Sequence, residues 1–191
     1  MSNRTFREPK VNLRKRVRNY SERTTGVNLI VLHSTESHDR HGASDLQGVL
    51  SWFDNPKAQA SSHIIIDAEG LTARAVEDHK KAWTCSQFNS RSVNVEQIGW
   101  TRFSRSRWLL RDPQLKATAR WIAYWSRKYE IPIVRGAVKG ALVTRPGVVL
   151  HSDLGDAGGN HGDPGPGYPL DRVLRWARFY RKAGWLLHQS S

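Results

Sequence analysis

Apolar positions along the chain fall into two periods, and these divide it into strands and helices before any chemistry is considered. Val27-Asn28-Leu29-Ile30-Val31-Leu32 and Gly147-Val148-Val149-Leu150 are short apolar, β-rich runs of the kind that read as buried strands. Ser62 to Asp67 predicts another strand, Ala68-Glu69-Gly70 a tight turn, and Leu71 to Val76 the returning strand of a hairpin. Ser92 to Gly99 reads as one more strand. Helical spacing appears in three places. Ser44-Asp45-Leu46-Gln47 matches a capping box and opens a helix carrying Leu46, Val49, Leu50 and Phe53 before Pro56. Asp112-Pro113 offers a cap and a first-turn proline for a helix reaching about Tyr129, with Leu115, Ala119, Ile122 and Ala123 on its buried face. Leu170 to Lys182 predicts a last helix ending before Gly184, with Arg172, Arg175 and Arg178 three apart. Residues 131 to 147, holding two prolines and three glycines, read as a connector. Together these elements predict a single-domain α/β fold, a mixed central β-sheet of about five or six strands flanked by helices.

Composition narrows the choice of partners. A chain of 191 residues with 38% hydrophobic residues and eight tryptophans fits one compact unit with a sizeable core. Thirty Lys and Arg against seventeen Asp and Glu give a net charge of +13, which favours polyanions: nucleic acid, acidic wall polymers or an anionic membrane surface. Residues 1–25 hold eight of the basic residues and only two acidic ones, and read as a basic N-terminal arm ahead of a domain over 26–191. Cys85 is the only cysteine, so no internal disulfide forms. No stretch approaches the roughly 18 apolar residues of a membrane span, and the first 25 residues lack the apolar core of a secretory signal. No heptad pattern argues for an oligomer, so a monomer is expected.

Candidate chemistry concentrates near the end of the chain. His151-Ser152-Asp153-Leu154-Gly155 follows an apolar strand, and a glycine-rich loop leads on to His161-Gly162-Asp163-Pro164-Gly165-Pro166. A second strand run ends in His33-Ser34-Thr35. Two strand ends and one loop can therefore bring His33, His151 and Asp163 together. Two imidazoles and a carboxylate suit Zn²⁺, and three protein ligands leave a fourth place open, as catalytic zinc sites do. The same residues also read as polar caps at strand ends with Asp163 in an ordinary turn, and spacing alone leaves both readings open. His38 and His41 lie in a polar loop and read as surface histidines.

In order along the chain stand His33-Ser34-Thr35, Ser61-Ser62-His63 with Ile64 to Gly70, Ala82-Trp83, Asn89 with Ser92-Val93-Asn94-Val95-Glu96, His151-Ser152-Asp153 and Asp163-Pro164-Gly165-Pro166. This series resembles the zinc-dependent N-acetylmuramoyl-L-alanine amidases, which include phage endolysins and bacterial amidases and are related to peptidoglycan recognition proteins. It spans roughly Val27 to Lys182. The resemblance implies Zn²⁺ on His33, His151 and Asp163, a general base at Glu96, and peptidoglycan, a muramyl peptide, as substrate. It also implies an oxyanion donor two residues before the last ligand, where this chain has His161. With Asp163 so near, His161 also reads as a ligand. His63 accompanies the fold in that family without binding metal. Two positions depart from it: Ser62 stands where some phage members carry a tyrosine, and Thr84 where many relatives carry a histidine. The family setting implies synthesis in the cytoplasm and action at the bacterial cell wall, after release through a pore made by a separate phage protein.

Trp100 to Arg111 interleaves Trp100, Phe103 and Trp108 with Arg102, Arg105, Arg107 and Arg111. Such a segment suits glycan and stem peptide, or single-stranded nucleic acid, and equally an irregular loop whose rings tuck into the core. A non-catalytic recognition module and a basic nucleic-acid-binding protein are the competing classes. The first usually lacks a ligand, and the second leaves His33, Glu96, His151 and Asp163 without a purpose.

Overall fold

A computed structural model describes residues 7–38 and 42–183. Its centre is a six-stranded sheet built from β1 (Leu13–Arg14), β3 (Leu29–Ser34), β4 (Ile64–Ile66), β5 (Thr72–Arg74), β7 (Ser92–Gln97) and β10 (Gly147–Leu150), in the order β1-β5-β4-β7-β3-β10. The β4–β5 hairpin is antiparallel and every other neighbour in this sheet is parallel. Its turn is tied by Asp67, whose Oδ1 accepts from the Glu69 and Leu71 amides. Parallel strands need both faces covered, which explains why β3 is buried along its whole length and apolar from Leu29 to Leu32.

Alternate residues of β3 and β7 supply two cores. Ile30, Leu32, Val93 and Val95 meet Leu115, Trp121, Ile122 and Trp125 of α3 (Asp112–Lys128) and Val173, Leu174 and Ala177 of α4 (Leu170–Ala183). Each fully buried aliphatic side chain in this layer contributes about 1.5–3 kcal/mol relative to exposure. On the other face, Leu46, Leu50 and Phe53 of α1 (Ala43–Asp54) cover Ile65 and Ala73. Beside them, Leu29, Val31 and Val149 pack on Phe88, Leu154 and Ala157, which belong to 3₁₀ segments at Ser86–Arg91 and His151–Gly158. α1 and the His151–Gly158 segment leave the C-terminal ends of β3, β7 and β10 open between them. Open α/β sheets place their ligands at such strand ends.

Several local expectations are corrected. The capping box at Ser44 does not form, because α1 starts at Ala43 with Gly42 at the cap, and a serine already inside the helix cannot cap it. Asp112 is likewise inside α3, where its carboxylate pairs with Lys116 at 2.6 Å and Arg111 takes the cap position. The expected connector contains a hairpin of β8 (Ala137–Lys139) and β9 (Leu142–Arg145), whose largely exposed pairing leaves no apolar period to read. The segment read as a basic arm carries β1, with Leu13 and Arg14 opposite Ala73 and Arg74, and β2 (Tyr20–Glu22), which pairs with β6 (Lys80–Ala82). Between them Val17 is buried. Trp100 to Arg111 includes a short helix, α2 (Arg105–Leu109), which buries Trp108. Arg111 there donates to the Ile98 carbonyl, and Arg105 pairs with Asp171, so much of that segment's chemistry is structural. The last helix reaches Ala183, and Gly184 lies outside the described residues.

Candidate active site

His33 lies inside β3 rather than beyond it, because the strand runs two residues further than its apolar run. Its register partner on β7 is Glu96, and the next strand over, β10, delivers His151 at its tip. Side chains at paired positions leave the same face of a sheet. Asp163 arrives from the returning loop, which is fastened by the Ser152 amide on the Asp163 carbonyl at 2.9 Å and the Ser34 amide on Asp163 Oδ2 at 3.2 Å. Gly165 makes that loop possible: it holds a φ of +86°, and a Cβ there would lie 2.1 Å from the Thr101 carbonyl oxygen.

Three ligand atoms converge. His33 Nδ1 is 3.0 Å from His151 Nδ1 and 3.5 Å from Asp163 Oδ2, and His151 Nδ1 is 3.0 Å from Asp163 Oδ1. All three residues are buried. The outer nitrogens fix the tautomers. His33 Nε2 faces Asn94 Oδ1 at 3.1 Å and His151 Nε2 faces the Gly158 carbonyl at 3.0 Å, so each ring donates outward and aims a lone pair inward. Two lone pairs and a carboxylate meeting at 3.0–3.5 Å repel one another unless a cation lies among them. The donor set and its outer partners fit a divalent metal.

Burial makes His33 harder to protonate, and the adjacent His151 adds to that effect. For Asp163, burial favours the neutral acid, but the two histidine rings beside it, His151 first and then His33, outweigh that and hold the carboxyl far below the usual carboxylate range. Glu96 behaves oppositely. Burial first, then the neighbouring carboxylates of Asp163 and Glu36, push it well above the ordinary range, and its Oε2 has no hydrogen-bond partner. An unpaired carboxyl in a cleft, with a raised affinity for protons, suits proton transfer.

These groups form the floor of a cleft of about 970 Å³, walled by α1 with Val49 and Trp52, by Trp83 and Thr84, and by Trp100 and His161. His161 does not join the inner cluster. Its ring stacks on His151 with centroids 4.5 Å apart and its Nδ1 is 4.0 Å from Asp163 Oδ1, while its side chain stays 60% exposed at the rim. His63 lies elsewhere, fully buried, accepting the Asn94 amide hydrogen at Nδ1, and burial lowers it to about 3. Its structural reading stands. His38 is exposed and edge-on to Trp100, and His41 is outside the described residues. Ser62 is buried and donates to the Asn94 carbonyl, so it supplies nothing to the cleft. Thr84 borders the cleft, with its hydroxyl committed to the Ser61 carbonyl at 2.6 Å.

Residues 23–166 match the family model described as N-acetylmuramoyl-L-alanine amidase. The chain belongs to that family. A curated relative, N-acetylmuramoyl-L-alanine amidase A of Achromobacter lyticus, is 28% identical over 82 residues, a match covering 42% of this amidase-family chain and 42% of the relative. Among solved structures, the Staphylococcus aureus hydrolase AmiA in complex with its ligand superposes with a TM-score of 0.69 at 17% identity, over 94% of this chain and 89% of that one. The endolysin N-acetylmuramoyl-L-alanine amidase LysCS from Clostridium intestinale gives 0.59 at 15% identity, over 90% and 97%. At these identities the solved structures bear on fold, and the fold is that of the amidases.

Asn94 and the Gly158 carbonyl are the parts of the site that sequence reading gave no role. Asn94 stands two residues before Glu96, on the same face of β7, so strand alternation alone placed it beside the histidines. The Gly158 carbonyl left no signal, since any residue carries one.

Proposed function

We propose that this protein hydrolyses the amide between N-acetylmuramic acid and L-alanine in peptidoglycan, with Zn²⁺ held by His33, His151 and Asp163. The observation that carries the proposal is the inward convergence of two imidazole lone pairs and one carboxylate, with both outer ring nitrogens engaged. Zinc in such a set supplies Lewis acidity toward the scissile carbonyl and makes a water acidic near neutral pH.

The chain's own residues do the rest. Glu96, beside His33 in register, takes the proton of the attacking water and returns it to the leaving amine of alanine. Its raised proton affinity matches that double duty. His161, stacked on His151 at the rim, donates to the oxygen that becomes negative as the carbonyl is attacked. The exposed indole of Trp52 gives one cleft wall a flat apolar face that suits a sugar ring. Lysis of a host wall by a phage endolysin is the setting we assign, supported by the fold shared with LysCS. No helix among the described residues is long and apolar enough to cross a membrane.

A purely binding module has no use for a half-buried glutamate whose Oε2 lacks a hydrogen-bond partner next to the ligand cluster, so hydrolysis is the better reading of Glu96. The test is incubation with purified peptidoglycan and end-group analysis. New amino-terminal alanine should appear, vanish with a chelator and return with zinc. Release of reducing sugar ends without alanine would contradict the assignment.

A further inference from the structure

The positive charge of this chain is not concentrated at the cleft. No Lys or Arg among the described residues lines it, whereas Glu36, Asp45, Glu96 and Asp163 all do. Cations gather instead at a groove of about 590 Å³ beside α4, lined by Arg135, Arg175 and Arg178 over Tyr168, Leu170 and Leu174. The groove's one carboxylate, Asp171, is paired with Arg105 at 2.8 Å. Arg135 is steadied by Asp153 at 2.7 Å, and Arg178 by donation of its Nε–H to the Ile133 carbonyl at 3.0 Å. Each guanidinium carries five N–H donors, so both keep donors to spare. Arg175 is exposed and has no ionic or hydrogen-bond partner among the described residues. Because Leu170 and Leu174 join the core that holds Leu32 and Val95, the groove lies on the sheet face opposite His33.

We propose that this groove binds a phosphodiester polymer of the bacterial wall, of the poly(glycerol phosphate) class, holding the enzyme on the wall while the cleft works. A phosphodiester chain carries one negative charge per repeat, and arginine forks match its oxygens two at a time. A single-stranded nucleic acid needs free ring faces for stacking, but Trp176 and Tyr180 of α4 are covered by the chain's own cations, and Phe179 is not part of the groove lining. Arg172 lies 4.8 Å over Trp176 and Arg120 lies 5.0 Å over Tyr180. A lipid surface needs projecting apolar side chains to insert. Leu170 and Leu174 are buried at the groove floor, and exposed Phe179 is not part of the lining. The proposal stands apart from the zinc chemistry, so either can fail without the other.

Calorimetric titration of the full chain with synthetic poly(glycerol phosphate) tests it. Arg175→Glu should weaken binding about tenfold or more. Lys57→Glu, the same charge change at an exposed lysine outside the groove, should stay within about twofold of the parent. Hydrolysis of a phosphate-free muropeptide should be unaffected by Arg175→Glu. Absence of binding, or equal loss in the two variants, overturns the site. So does tighter binding of phosphatidylglycerol vesicles or of single-stranded DNA at equal phosphate concentration, and so does a matching fall in muropeptide hydrolysis.

Discussion

His33 and Glu96 are register partners on the parallel strands β3 and β7, so an imidazole of the converging His33, His151 and Asp163 cluster and a carboxyl whose Oε2 has no hydrogen-bond partner leave one face of the sheet side by side. Backbone pairing rather than a loop sets their relation, which holds the Glu96 carboxyl at a fixed station next to that cluster. Sites carried on strands hold their geometry better than sites carried on loops.

Replacing Glu96 with Gln keeps the shape and removes the proton affinity. Hydrolysis should fall by about 10²–10⁴-fold while the protein binds the same amount of zinc. Retained turnover would assign the proton transfer to another group.

Asn94→Ala removes the acceptor that orients His33. Metal affinity should drop by about 10–100-fold, measured by competition with a chelating dye, and activity should recover in part at high zinc. Unchanged affinity would show that the Asn94 contact does not set the histidine's tautomer.

Acid should act on the metal-free protein through His63. Its folded value of about 3 lies below the roughly 6.5 of an unfolded chain, so below pH 6.5 the unfolded state takes up a proton that the folded state refuses. The contribution is fully present above pH 6.5 and is lost as pH falls toward 3, by about 1.4 kcal/mol per unit. Buried His33, also lowered, acts with the same sign. Urea unfolding at pH 7.5 and pH 5 should show a loss of about 2 kcal/mol from His63 alone, and His63→Gln should be correspondingly less pH-sensitive. Identical losses in parent and variant would remove His63 from the account.

How legible the site was depended on what kind of feature each part is. Apolar runs ending in His33 and His151 marked two strand tips, since burial on both faces forces continuous hydrophobicity. Proline and glycine around Asp163 marked the returning loop. The meeting of His33, His151 and Asp163 was therefore readable from residue type and order. The end of β3 was not: His33 and Ser34 are polar yet lie within the strand, because the site and not the apolar pattern keeps them buried. Helix starts at Ala43 and Asp112 were displaced from their apparent caps, as side-chain capping is a preference that tertiary packing overrides. The β8–β9 hairpin escaped notice because its residues are mostly exposed and carry no alternation. Arg135 and Arg175 meet across one groove from distant parts of the chain, a pairing that no local pattern encodes.

Zinc titration of the chelator-stripped protein tests the central claim most directly, because it asks whether His33, His151 and Asp163 act as one cation site without reference to any substrate. Native mass spectrometry should show a single tightly held zinc per chain in the parent and in His161→Ala, and its loss in His151→Ala and in Asp163→Ala. Absence of zinc from the parent, or equal retention in the His151 and Asp163 variants, would contradict the account.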